Sequence, residues 1–131
     1  MGQQQLLLIV LGVIIVGIAI VVGINLFNAN AEESAKDTLA SEGTNLAALA
    51  QQFYKKPVAL GGGGNTFNTG GPGGTGFVIP SKLGQSGTGA TWTATVNAQN
   101  VLFTTNIIPN SGYAWTVAVY ASPDSIGTQI Q

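Results

Sequence analysis

The hydrophobic pattern of the chain begins with a continuous apolar run. This run extends from Leu6 to Ile24, LLLIVLGVIIVGIAIVVGI, and no charged residue precedes Glu32. As a helix rising about 1.5 Å per residue, it is just long enough to cross a hydrocarbon layer about 30 Å thick. We therefore expect this helix to be buried, either in lipid or in protein.

The pattern becomes amphipathic after this run. Apolar residues recur every three or four positions, which places them on one face of a helix. They are Ala31, Ala35, Leu39, Leu46, Leu49 and Phe53. Pro57 is the first residue that must end the helix, and Gly43 is a local weak point because glycine has low helix propensity. The sequence thus predicts one helix from Gln3 to Lys56.

Beyond this helix a glycine-rich segment leads into alternating apolar and polar positions. Residues 60–76, LGGGGNTFNTGGPGGTG, must form a loop, with Phe67 as a possible anchor to the sheet. The alternation predicts strands over residues 91–96, 101–108 and 113–119, with turns at 97–100 and 109–112. Residues 77–79 form a possible short extra strand. We expect an antiparallel meander of three or four strands.

These elements predict an α+β fold. A small antiparallel sheet has one apolar face that it cannot bury alone, and the second half of the long helix has a matching apolar stripe. We expect four segments: an apolar helix at 1–30, its amphipathic extension at 31–57, a glycine-rich loop at 58–76 and an antiparallel β head at 77–131. The first half of the helix would then lack cover within its own chain, which excludes a water-soluble monomer.

Composition narrows the possible functions. Only 7% of residues are charged, the net charge is -1, and the chain has no Cys and no His. Four lysines and no arginine make nucleic acid a poor partner. Disulfides, Cys- or His-liganded metals and Cys or Ser-His nucleophiles are excluded. Of the five carboxylates only Asp124 lies near the sheet, so we predict neither an enzyme nor a cofactor or metal site.

Three interpretations of the apolar run compete: a cleaved signal peptide, a membrane anchor, or a packing helix at the centre of a polymer. Ala29-Asn30-Ala31 could be a cleavage site, but residues 1–31 hold no Lys or Arg, and the run is too long for a signal peptide. We therefore expect the segment to remain part of the protein.

The whole arrangement resembles a type IV pilin or pseudopilin. Met1-Gly2-Gln3-Gln4-Gln5-Leu6-Leu7-Leu8-Ile9-Val10 resembles the mature start of those subunits, with Gln5 in the place of the usual Glu. No basic leader precedes the run and no proline interrupts it, so Met1 is either the first residue left after a leader was removed or the initiator. The resemblance implies a precursor in the cytoplasmic membrane. A pilus-type assembly machinery would extract it into an extracellular, homopolymeric helical filament.

Four residues are candidates for helix-helix assembly. Gly12, Ala19 and Gly23 lie seven and four residues apart, hence on one side of a helix, and small residues permit close helix approach. Gln5 belongs to a glutamine triplet that is either a hydrogen-bonded register device between subunits or the polar boundary of the membrane segment. The alternative function is a single-span membrane protein that displays a β-rich binding head.

Overall fold

The computed structural model describes residues 2–131, so the two interpretations of Met1 concern a residue outside this range. One long helix, two short 3-10 turns and four strands follow one another along the chain. They are α1 (Gln3–Lys55), the turns Val58–Leu60 and Pro72–Gly74, β1 (Trp92–Val96), β2 (Val101–Thr105), β3 (Val117–Ala121) and β4 (Ile126–Ile130).

The chain divides into two compact units. The first ends at Ser34 and consists of the apolar part of α1, while the second, Ala35–Gln131, contains the rest of α1, the glycine-rich loop and the sheet. Within the second unit the helix packs on an antiparallel sheet. The predicted α+β fold is therefore confirmed.

The sheet is a simple meander. Its strand order is β1-β2-β3-β4, and every neighbouring pair is antiparallel. Because side chains alternate between the two faces of a strand, each strand has an inner row facing the core and an outer row. Trp92, Val101, Phe103, Val117 and Val119 form the inner row of β1 to β3 and are nearly or completely buried. This apolar inner face is the surface that the helix covers.

The amphipathic part of α1 buries the face that its sequence pattern predicts. Leu39 and Leu46 are fully buried, and Leu49 and Phe53 pack against the same core. Gly43, interpreted from sequence as a weak point, is buried where the helix lies closest to the sheet. A Cβ added to Gly43 would lie 2.7 Å from the Trp92 ring and would also collide with Val119. The glycine therefore allows the close approach of helix and sheet.

The glycine-rich loop is held against the core by Phe67, as the sequence suggested. The side chain is fully buried, and its ring centroid lies 4.8 Å from that of Tyr54. The Phe67 backbone N–H donates to Ala98 O at 3.0 Å, and its carbonyl accepts from the Phe77 N–H at 2.7 Å. A segment without regular structure is thus attached to the helix, to the β1–β2 turn and to the segment that follows it.

The strands differ from expectation at their ends. The β2 strand ends at Thr105 instead of residue 108, and β3 begins at Val117 instead of residue 113. Residues 77–79 form no strand, and β4, which the sequence analysis missed, completes the sheet. Its sequence, IGTQI, contains a glycine and two polar residues, which weakens the period-two signal.

Candidate functional site

The most distinctive surface of the described chain is the apolar part of α1. Every large apolar side chain from Leu6 to Phe27 is 50–74% exposed. These side chains occupy all sides of the helix, and residues 3–31 carry no charge. A helix that is hydrophobic all round is ordinarily buried, in a large core or in a membrane. We define the segment Leu6–Phe27 as the apolar rod.

The helical conformation of the apolar rod has a physical reason in a dry environment. Its Val and Ile residues are poor helix formers in water because their branched side chains lose rotamer freedom. Where no water is present, each backbone N–H and C=O must be satisfied within the segment, and only a helix does so for a single span. The rod is long and apolar enough to cross a membrane.

The four predicted assembly residues lie along one line of the helix surface. At about 100° per residue, Gln5, Gly12, Ala19 and Gly23 fall within an arc of about 40°. Gly17 lies at least about 120° from this arc by the same geometry. A Cβ added to Gly12 or Gly23 would meet nothing within 4 Å. Within the described chain this row is open, so it is available to another molecule.

A polar cluster in the second unit was not identified from the sequence. Trp92 Nε1 donates to Glu42 Oε2 at 3.4 Å, and the Gly87 N–H donates to Glu42 Oε1 at 3.5 Å. Both are long bonds, and they connect a helix carboxylate to the sheet and to the loop before β1.

A second contact pairs a cation with an aromatic ring. Lys36 Nζ lies 5.4 Å from the centroid of the Trp115 ring, within the range of a cation–π interaction. The Tyr113 and Trp115 rings stack with centroids 5.5 Å apart. The alternation of Tyr113 and Trp115 in the sequence indicated that the two share a side, but not that a helix lysine lies over one of them.

The polar chemistry of residues 2–131 is sparse. Those residues contain no group of three or more His, Cys, Asp or Glu side chains that could hold a metal ion. A shallow hollow of about 480 Å³ on the outer face of the sheet is lined by uncharged residues, among them Thr104, Tyr120 and Gln129. The hollow offers hydroxyl and amide groups but no acid-base pair.

Comparison of the chain with family models, with curated proteins and with solved structures finds no match. The function must therefore be inferred from the geometry of the described residues. That geometry combines a small α+β unit with a helix that could serve as a membrane anchor or as a polymerisation helix.

Proposed function

We propose that the chain is a structural subunit of an extracellular helical filament of the type IV pilin kind. The observation that carries this proposal is the apolar rod, whose large side chains are exposed on every side. Removing one half-exposed Leu, Ile or Val from water contributes about 1 kcal/mol. The rod therefore needs cover all around, which lipid provides before assembly and neighbouring copies of the same helix provide afterwards.

The row Gln5, Gly12, Ala19 and Gly23 supports packing against other helices. Small residues on one line let two helix backbones approach closely, and helices in an apolar surrounding associate by such packing. Because Gln5 is neutral, it can lie between helices without the desolvation cost of a buried carboxylate. In this proposal Gln5 hydrogen-bonds to a neighbouring subunit, and the other three residues form the contact.

The proposed function also assigns a location to the chain before and after assembly. A precursor would be held in the cytoplasmic membrane by the rod and then transferred to the cell-surface filament by a pilus-type assembly machinery. The unit Ala35–Gln131 would be the part displayed on the filament surface. No enzymatic activity, cofactor or nucleic-acid partner is part of the proposal.

A single-span membrane protein that displays a β-rich head is the second candidate. The observation that favours it is the length of the apolar rod, which is sufficient for one membrane crossing. The two candidates differ in what surrounds the rod in the final state. Lipid surrounds it in the anchor, and copies of the rod surround it in the filament.

Three leucine substitutions separate these candidates. Leucine inserts into a membrane at least as well as alanine or glycine, so all variants should reach the membrane fraction. Ala19→Leu and Gly23→Leu should abolish filaments, because the larger side chain separates the helices. Gly17→Leu, which lies off the row, is the matched control and should retain them. Filaments would be sheared from expressing cells, pelleted and examined by negative-stain microscopy.

The outcomes distinguish the candidates directly. If the unaltered chain remains in the membrane fraction and no filament contains it, the anchor is correct and the filament proposal fails. Equal losses of filament at positions 17, 19 and 23 would show that the row is not a specific helix contact.

A further inference from the structure

The free edge of β4 has an arrangement of backbone groups that can be derived from its pairing with β3. Thr116 and Gln131 exchange two backbone hydrogen bonds, at 2.7 and 2.8 Å. In an antiparallel ladder, hydrogen-bonded and non-hydrogen-bonded pairs alternate. The pairs Val117–Ile130, Val119–Thr128 and Ala121–Ile126 are therefore of the second kind. Consequently the backbone N–H and C=O groups of Ile126, Thr128 and Ile130 point away from β3.

This edge lacks the features that normally protect an edge strand. Natural sheets discourage edge pairing with charged side chains, proline, bulges or a covering segment. Residues 126–131, IGTQIQ, include no charged side chain and no proline, and the β3–β4 register is continuous. Thr128 is exposed, and Ile130 is 49% exposed. The sheet order places no described strand beyond β4.

The opposite edge of the sheet is partly covered. The Trp92 N–H, at the start of β1, donates to Gly84 O at 2.8 Å, and Gln85 forms a bridge with Thr91. If the β1 edge of one copy paired with the β4 edge of another, Gly84 and Gln85 would already occupy part of the β1 edge. Pairing of β4 with β4 meets no such obstacle.

The sequence of β4 is self-complementary about Thr128. A two-fold axis at this residue places Ile126 opposite Ile130 of the second copy and Thr128 opposite its own equivalent. The residues with outward backbone groups then form three hydrogen-bonded pairs, or about six new bonds. The facing side chains would be Ile–Ile and Thr–Thr, and β-branched and threonine pairs of this kind stabilise antiparallel sheets. Gly127 and Gln129, on the outer face, place no charge at the junction.

We propose that β4 is a homotypic pairing edge, on which a second copy of this chain adds antiparallel to form a continuous eight-stranded sheet. The two-fold arrangement is the self-complementary geometry of an isologous interface. Gln51 supports the edge at its beginning, because its Nε2 donates to Ser122 O at 2.9 Å in the β3–β4 connection. The edge is thus presented by a strand that is held in place.

The symmetry has a consequence that rests on the proposed function. Subunits of a polar helical filament all point the same way, so a two-fold axis between two of them could only coincide with the filament axis, which the rods occupy in the proposed function. Pairing through β4 would therefore join subunits of separate filaments. Filaments of the unaltered chain should associate laterally, and Thr128→Lys should disperse them because like charges directly opposite each other repel.

Cysteine cross-linking of the full chain in detergent micelles tests the pairing without requiring filaments. The chain contains no cysteine, so each introduced thiol is unique. Thr128→Cys should give about tenfold more disulfide-linked dimer under copper-phenanthroline than Thr95→Cys, since opposed Cα atoms lie about 5.5 Å apart. Thr95 is a matched control, being an exposed threonine on the other edge strand. Equal yields, or none at either position, would overturn the proposal.

The register has its own test. In a mixture of Ile126→Cys and Ile130→Cys chains that carry tags of different mass, the proposed pairing gives the heterodimer. Two copies of Ile130→Cys should not link to each other, because their thiols would lie about 13 Å apart along the strands. Homodimers as abundant as the heterodimer would contradict the register. If cross-linking succeeds but no filaments form, the pairing edge stands and the proposed function fails. If filaments form but the cross-links do not, the proposed function stands and the pairing edge fails.

Discussion

Gly43 lies in the middle of α1, where a glycine ordinarily weakens a helix by about 1 kcal/mol relative to alanine. The sequence predicted its position in the helix but not its contact with the sheet. The residue lies against the inner face of the sheet, and an added Cβ would be 2.7 Å from the Trp92 ring. Contact with a second element therefore determines the effect of a substitution here.

We predict that Gly43→Ala destabilises the second unit. The cost of overpacking is about 1–3 kcal/mol, which exceeds the gain in helix propensity. Ser41→Ala is the matched control, because Ser41 lies in the same helix and is exposed; it should be neutral or slightly stabilising. Urea unfolding of the full chain in detergent, followed by Trp fluorescence, measures both. If Gly43→Ala raised the urea midpoint as Ser41→Ala does, the close helix–sheet contact would be wrong.

At the scale of elements, the glycine-rich loop shows how a segment without regular structure can still be well packed. Its composition predicted a loop, and the segment contains neither α-helix nor strand, only short 3-10 turns. Its attachment depends on Phe67, which is fully buried, and on ring contacts that continue from Phe53 to Phe77 at 5.6 Å and from Phe77 to Phe103 at 5.8 Å. These aromatic side chains join the loop region to the helix and the sheet.

We predict that Phe67→Ala costs about 3–5 kcal/mol, the range for removing a buried phenylalanine side chain. The loop should then become a site of rapid proteolysis. Phe27→Ala is the matched control, since Phe27 is 74% exposed and lies in the other compact unit; it should leave urea unfolding of the sheet unchanged. Limited proteolysis and Trp fluorescence report the two effects. A loss below about 1 kcal/mol would show that Phe67 does not anchor the loop.

At the scale of the whole molecule, two units with different solvent requirements share one helix. The unit Ala35–Gln131 has its own apolar core, whereas the apolar rod buries none of its large side chains. Such a chain needs a second environment besides water, because monomeric soluble proteins rarely expose so large an apolar surface.

We predict that a chain beginning at Glu32 is soluble without detergent and forms no filaments, while the full chain requires detergent or polymerises. The reason is that the rod is a continuous run of exposed large apolar side chains, whereas the second unit has a buried apolar core of its own. Size-exclusion chromatography should show species no larger than the β4-paired dimer, and circular dichroism should report retained strand structure. If the shortened chain formed filaments, the rod would not be the element that drives polymerisation, and the proposed function would be wrong.

Local sequence patterns were sufficient to predict the classes of the main elements. The apolar run, the three- to four-residue spacing from Ala35 to Phe53 and the glycine-rich segment each carry a local signal, because helix amphipathicity and turn preference depend on neighbouring residues. Likewise, the angular row of Gln5, Gly12, Ala19 and Gly23 follows from helix geometry alone. Contact of that row with another helix stays a prediction.

The remaining features depend on how distant parts of the chain pack together. The close approach at Gly43, the position of Lys36 over Trp115 and the existence of β4 depend on residues far apart in the chain. In β4 the alternation of apolar and polar residues is weak. The segment forms a strand because its backbone pairs with that of β3. The same pairing leaves its other edge free. Long-range packing and strand pairing, which local sequence patterns do not encode, therefore determined the surface proposed for a second copy.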